Sequence, residues 1–334
     1  MEGQARRVAL ALGAGGARGY AHIGAIQVVR ERGYEIVSVA GSSMGAVVGG
    51  LFAAGKLDDY TAWVLRLRQV DVLRLLDPGL SGSGVLRADK MLAFVRDLLG
   101  GALIEELPVA FTAVATDLLA RKAVWFQEGP VDVAIRASIA IPSIITPVVW
   151  NGRLLVDGGV LDPVPIAAAA SARADATIAI SLSGERRGIA EGTPVRETAV
   201  GRPVEEWVDR LRQAASQWLD NETVRGLTER VRAGTEGLRR RTRSAAEADA
   251  AIEPALPALG PLEVMNLSLE ATQALVTRYR LAGYPPDVLI SVPKDACRTA
   301  EFHRAREMIE LGRRLTTEAL DAAGFDALSP PSSD

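Results

Sequence analysis

Short apolar runs rich in β-branched residues recur along the chain, at Val8–Leu12, Ile36–Ala40, Phe111–Thr116, Lys122–Phe126, Leu154–Val156, Thr177–Leu182 and Val288–Val292. Each has strand length, and several are separated by stretches whose apolar residues repeat at helical spacing. Strands alternating with helices predict a mostly parallel central sheet with helices on both faces, a three-layer α/β/α arrangement. The first unit is the clearest. Strand Val8–Leu12 enters the loop Gly13–Gly19, a helix covers about Ala21–Arg32, and strand Ile36–Ala40 completes a βαβ crossover.

The texture changes between Glu185 and Gly260, which is charged, alanine-rich and without strand signals. Val204, Trp207, Val208, Leu211, Ala215, Trp218 and Leu219 fall on one helical stripe, so residues 185–260 are expected to form a helical insertion. Pro254–Pro261 marks its exit, and alternating patterning returns near Val288. The core is accordingly expected over 6–184 and again over 261–324, where Phe302, Ala305, Ile309, Leu315 and Ala319 share a face of a terminal helix. A disordered tail is expected over 325–334.

The 334 residues can bury one substantial core, and the formal net charge of -3 gives no basic footprint, so nucleic acid is not an expected partner. A single cysteine, Cys297, excludes an internal disulfide and suits a reducing compartment. The N-terminal arginines and short apolar run loosely imitate a secretory signal, but the apolar part is only strand length and ends in glycines. No run approaches the roughly 18 apolar residues of a spanning helix. The expectation is a cytoplasmic protein, soluble or peripheral at a membrane.

Gly41-Ser42-Ser43-Met44-Gly45 directly follows strand Ile36–Ala40 and precedes a small-residue helix, Ala46–Ala54. This is the strand-turn-helix setting of a G-x-S-x-G nucleophile elbow, whose turn demands small residues two before and two after the serine. Ser43 meets that demand. Ser42 has Ala40 and Met44 at those positions, and Ser81 has Gly79 but Ser83.

An activated serine usually has a histidine base, and the chain offers only His22 and His303. His22 precedes the serine, within the helix after the glycine loop, and reads as a packed or capping residue. His303 lies in the terminal helix and reads as solvated. If neither serves, a carboxylate of raised basicity can take the proton. Asp157 is the best placed, because it ends strand Leu154–Val156 and is followed by Gly158 and Gly159, which let the chain turn at the carboxyl edge of the sheet. An Asp-Gly turn without chemistry is the competing reading of that residue.

The loop Gly13-Ala14-Gly15-Gly16-Ala17-Arg18-Gly19 joins a strand to a helix and is suited to anions. A pyrophosphate cradle and an oxyanion hole compete for it. The dinucleotide pattern G-x-G-x-x-G fails at Arg18, and the next strand ends in Ala40-Gly41 where a ribose-binding acid would stand. An oxyanion hole fits a nucleophile emerging from the adjacent strand, and Arg18 would add positive charge.

Together the loop GAGGARGYAHIG, the elbow GSSMG, the segment Ile135–Val148 and the Asp157-Gly158-Gly159 triplet resemble the patatin-like phospholipase family, in particular its bacterial branch. The likeness covers about Val8–Ser183 and resumes near the terminal helix, leaving Glu185–Gly260 outside. It implies a Ser-Asp dyad without histidine, metal or cofactor, with Ser43 as nucleophile, Asp157 as base, and the Gly15 and Gly16 amides with Arg18 as the oxyanion site. It also implies lipid acyl esters as substrates. Ala14 departs from the glycine found in many relatives; its amide would remain available, though a positive φ there would cost about 1 kcal/mol. The Trp207/Trp218 helix reads either as packed on its own domain or a sister subunit, which leaves room for a homo-oligomer, or as a membrane-contacting lid within 204–232. A catalytically silent lipid-binding or regulatory scaffold and a nucleotide-binding α/β protein are the rival functions.

Overall fold

The strands sort their apolar residues by size, and this decides how the layers stack. In the computed structural model, which describes residues 6–75, 89–142, 144–170, 173–184 and 261–327, β1 (Arg7–Leu12) turns Val8, Leu10 and Leu12 into one core cluster and Ala9 and Ala11 into another. Strand β7 (Ala176–Gly184) does the same, with Ile178, Ile180 and Leu182 opposite Ala179. Side chains alternate across a strand, so the sheet has one face of large residues and one of alanines.

The large face is covered by α1 (Ala21–Glu31), α2 (Met44–Ala53), α3 (Leu57–Val64), α5 (Asp89–Leu99), α6 (Val131–Ser138) and α9 (Ala305–Ala322), which contribute to the same cluster. Between α3 and α5 lies α4 (Gln69–Leu75). The alanine face receives α7 (Ile166–Ala169) and Leu281 of α8 (Pro261–Gly283). Helices α1 and α9 approach so closely that a Cβ on Gly24 would stand 2.1 Å from the Ile309 carbonyl oxygen, and one on Gly312 would stand 2.1 Å from that of Ala21.

The sheet has eight strands, and those not yet placed are β2 (Glu35–Ser42), β3 (Ala110–Asp117), β4 (Lys122–Phe126), β5 (Val148–Trp150), β6 (Arg153–Asp157) and β8 (Val288–Pro293). The order is β5-β6-β3-β2-β1-β7-β8, with β4 paired to β3. The pairs from β3 through β8 along this order are parallel, as expected from the alternation of strands and helices, and β4, β5 and β6 add antiparallel pairs. Strand β5 went unforeseen because it has only three residues. Its hairpin to β6 turns through Asn151 and Gly152, both at positive φ, the conformation that a two-residue Asn-Gly turn requires.

Two differences from the sequence reading concern the end of the chain. The helical turn at Phe302–Arg304 precedes α9 rather than forming part of it, so His303 lies outside that helix. Phe325, placed in the disordered tail by composition, is a core residue: it is buried, packs on Tyr34 and lies under the Arg6 guanidinium at 4.2 Å. By internal contacts the chain divides into Met1–Gly188 with Met265–Asp334, and Ile189–Val264. The expected helix carrying Trp207 and Trp218 falls outside the described residues. Among the described residues no helix is long and apolar enough to cross a membrane.

Candidate active site

The site is set by register. On β3, Ala110–Val114 pair with Ser38–Ser42 of β2, while Ala115–Asp117 pair with Asp157–Leu155 of β6. Strand β4 runs along 113–117 and overlaps both partners, so it occupies the opposite edge. Strands β2 and β6 therefore meet end to end along one edge of β3, with Ser42 opposite Val114 and Asp157 opposite Ala115. Ser43 and Asp157, 114 apart in the chain, come together where β2 stops.

At that point Ser43 takes φ 55° and ψ -122°, a positive-φ conformation for a non-glycine residue, before α2 begins at Met44. Such strain costs on the order of 1–3 kcal/mol and persists only where the surroundings fix it. The surroundings here leave no room for side chains: a Cβ on Gly41 would lie 2.3 Å from the Gly45 carbonyl oxygen, and one on Gly45 would lie 2.0 Å from that of Leu12. Ser138 at the end of α6 holds the elbow from below. Its Oγ accepts from the Ser43 amide at 2.9 Å and donates to the Val114 carbonyl at 2.6 Å.

Ser43 Oγ donates to Asp157 Oδ2 at 2.5 Å. The other carboxylate oxygen, Oδ1, accepts from the Gly159 amide at 2.7 Å, and the Asp157 amide donates to the Ala140 carbonyl at 2.9 Å. A Cβ on Gly158 would come within 2.1 Å of the Val114 carbonyl oxygen, so the turn after Asp157 needs glycine as much as the turn at the serine does. Both side chains are nearly sealed from solvent. Burial raises the Asp157 carboxyl from 3.8 to about 6, against the lowering effect of the hydrogen bonds from Ser43 and Gly159. A group titrating there is ionised at neutral pH and more basic than an exposed aspartate, which suits it to accept a serine proton.

Neither histidine is hydrogen-bonded to this pair. His22 is fully buried and its Nε2 donates to the Gly13 carbonyl at 2.8 Å; desolvation lowers it to about 4. His303 stands in the turn before α9. Of the other serines considered, Ser42 donates to the Asp162 carbonyl at 2.6 Å, and Ser81 lies outside the described residues.

The glycine loop wraps the same place. A Cβ on Gly159 would stand 2.7 Å from Ala14 Cβ, and one on Gly19 would stand 2.1 Å from Met44 Cγ, so the loop touches the turn after Asp157 at one end and the elbow at the other. Within it the Gly13 amide donates to the Ile180 carbonyl, that of Ala14 to Pro163, and that of Ala17 to Thr299. The amides of Gly15 and Gly16 have no partner among the described residues.

Two expectations for this loop need correction. The Ala14 amide is committed to Pro163 at 2.8 Å and is not a spare donor; Ala14 also lies outside the positive-φ residues, so the feared strain is absent. The Arg18 guanidinium is not turned to the dyad: Nη1 donates to the carbonyls of Lys294 at 2.7 Å and Cys297 at 3.4 Å, tying the loop to the segment after β8.

Sequence reasoning missed Ser138, Asp162 and Arg280. Ser138 lay inside the Ile135–Val148 segment, but nothing in its spacing foretold that it caps the elbow amide. Asp162 is almost wholly buried, its carboxylate oxygens have no hydrogen-bond partner, and burial raises it to about 6. Its nearest countercharge is Arg280 Nε of α8 at 3.8 Å, and Arg280 also reaches the Leu161 carbonyl at 3.4 Å.

A tight strand-to-helix serine, a buried carboxylate on its hydroxyl and a loop with two amides unpartnered among the described residues make a candidate hydrolase site in an α/β protein. The family model for patatin-like phospholipase matches residues 10–170. An uncharacterized NTE family protein of Mycobacterium tuberculosis is 51% identical over 341 residues, taking in 96% of this chain and 93% of that one. A patatin-like phospholipase domain-containing protein of Caenorhabditis elegans is 30% identical over 165 residues, 47% of this chain and 12% of that one. VipD from Legionella pneumophila aligns at a TM-score of 0.42 and 16% identity, over 96% of this chain and 67% of that one. The chain belongs to the patatin-like phospholipase family, and membership implies lipid hydrolase activity.

Proposed function

We propose that the chain cleaves carboxylic esters of lipids through an acyl-enzyme, with Ser43 as nucleophile and Asp157 as base. The observation that carries this reading is the 2.5 Å hydrogen bond from Ser43 Oγ to Asp157 Oδ2, made by a serine held at positive φ. Ser43 Oγ attacks the ester carbonyl while its proton passes to Asp157 Oδ2. The oxyanion is received by the Gly15 and Gly16 amides, the free donors of the loop. Collapse expels the alcohol, which takes the proton from Asp157. Water then gives a proton to the same carboxylate, attacks the acyl-serine, and releases the fatty acid with Ser43 reprotonated. The Gly159 amide on Oδ1 keeps the carboxylate turned throughout.

The substrate class is the acyl ester of a phospholipid, lysophospholipid or neutral lipid, which belongs to an aggregate, so the protein works at a lipid surface. A fluorophosphonate probe labels the wild type and not Ser43→Ala, and Asp157→Asn stays folded without ester turnover. Labelling that survives Ser43→Ala sinks the assignment, and liposome binding by an unlabelled wild type favours the silent scaffold instead.

A further inference from the structure

His22 is a fully buried imidazole that the dyad does not use. It is the second residue of α1, and a helical side chain leans toward the helix N-terminus, which here is the glycine loop. Its Nε2 meets the Gly13 carbonyl at 2.8 Å, and since that oxygen only accepts, Nε2 carries the proton. Nδ1 is left buried without a partner, an unfavourable arrangement for an acceptor. Burial keeps the ring neutral, lowering it to about 4. A histidine retained at this expense in an apolar cluster does something an aliphatic residue would not.

The Gly13 carbonyl and the Ala14 amide belong to one planar peptide unit. His22 holds its oxygen and Pro163 receives its N–H, so the plane is fixed at both ends. The peptide unit joining Gly16 to Ala17 is fixed in turn by the Ala17 amide on the Thr299 carbonyl. Between these two planes lie two peptide units, and their N–H groups are those of Gly15 and Gly16, the free ones.

We propose that His22 is a positioning residue for catalysis: its Nε2–H fixes the Gly13-Ala14 peptide plane, and thereby the direction in which the Gly15 and Gly16 amides point. This rests on the reading of those amides as the oxyanion donors. Without the His22 bond the first plane is held only through its N–H, and rotation of that plane displaces both donors. A small misplacement of a catalytic group carries a rate loss of about 100-fold, and removal of one oxyanion donor a loss of similar or greater size.

The test compares His22→Leu, which removes the donor, with His22→Gln, whose amide restores one, using a soluble aryl ester and a fluorophosphonate titration of active sites. The expected result is a fall in kcat of about 100-fold in His22→Leu with KM unchanged, and recovery of most of it in His22→Gln. Wild-type kcat in the folded leucine variant, or a loss that glutamine does not relieve, overturns the proposal while leaving the dyad intact. Should His22→Leu not fold, NMR of the histidine-labelled wild type decides. The Nε2–H signal must shift when Ser43 is phosphonylated, and a stationary signal overturns the proposal. Should the wild type neither turn over nor label, the dyad reading fails, and the loop is judged by the Gly15 and Gly16 amide signals alone. These must move in the variant that removes the donor and return with glutamine; unmoved signals overturn it.

Discussion

Asp157→Asn should leave the protein inactive and make it more stable, by an amount that depends on pH. The Asp157 carboxyl is raised from 3.8 to about 6 chiefly by burial, so the fold favours the protonated form. A group raised in this way contributes stability that is fully present below 3.8 and lost as pH rises through about 6. At pH 8 the ionised carboxylate therefore lowers stability by roughly 3 kcal/mol relative to an unperturbed aspartate. Asparagine carries no charge at any pH and keeps an oxygen for the Gly159 amide, while its NH2 faces Ser43 Oγ, which can accept. One N–H is left without a partner, which takes back about 1 kcal/mol. The net gain is about 2 kcal/mol at pH 8, or a rise in melting temperature of roughly 4–8 °C for a domain of this size. At pH 4 the wild-type carboxyl is itself largely protonated and the gain should vanish or reverse. Thermal melts of both proteins at pH 8 and pH 4 read this directly. A variant less stable than wild type at pH 8, or a difference that does not change with pH, would refute the account of Asp157 as a carboxylate held against its desolvation.

Three further outcomes follow from the same geometry, and a fourth from the sequence alone. The kcat/KM of the wild type on a soluble ester should rise with pH through a midpoint near 6, because Asp157 must be ionised to accept the serine proton; a profile flat from pH 5 to pH 8 removes it as base. Ser138→Ala unpairs the Ser43 amide and the Val114 carbonyl, both buried, and should lower stability by about 2 kcal/mol or more in urea unfolding, with a drop in kcat; a change under about 0.5 kcal/mol contradicts its role as the elbow's support. Gly45→Ala places a methyl group 2.0 Å from the Leu12 carbonyl oxygen, and should abolish Ser43 labelling or prevent folding; normal labelling would mean that the elbow is looser than described. Deletion of residues 205–232, the segment whose sequence reads either as a packed helix or as a membrane-contacting lid, should weaken liposome binding, and unchanged binding by the folded deletion defeats the lid reading.

The legibility of this chain differed from part to part for physical reasons. The central strands β1, β2, β3 and β7 were readable because buried parallel strands are short continuous apolar runs, and Ser43 was readable because Gly41 and Gly45 are imposed by backbone contacts local to the turn. The Asn151-Gly152 turn was a hairpin signal within reach, and reading it would have yielded β5. Ser138, Asp162 and the carbonyls that occupy Arg18 were not readable, since each is defined by a partner far away in the chain. Ala14 illustrates the limit well. Its amide looked available in the loop taken alone, and only the arrival of Pro163 from the segment after Asp157 consumes it.

That last contact bears on how an aspartate would serve in the proposed dyad where histidine is usual. The segment from Asp157 to Val164 does more than supply a carboxylate: its Asp162 carbonyl receives the Ser42 hydroxyl, and its Pro163 carbonyl receives the Ala14 amide. Asp157, the elbow and the glycine loop are thus fastened to one short stretch of chain that enters antiparallel where β2 ends. Because β6 abuts β2 along a single edge of β3, the carboxylate arrives within direct reach of the serine, so the proposed dyad would need no imidazole to bridge the two. The direct contact in turn requires the carboxylate to be buried beside the serine, and burial is what raises its basicity. Position and basicity therefore have one cause in the sheet register, so a variant that shifts β6 by one residue should lose both together, with Asp157 turned to the opposite face.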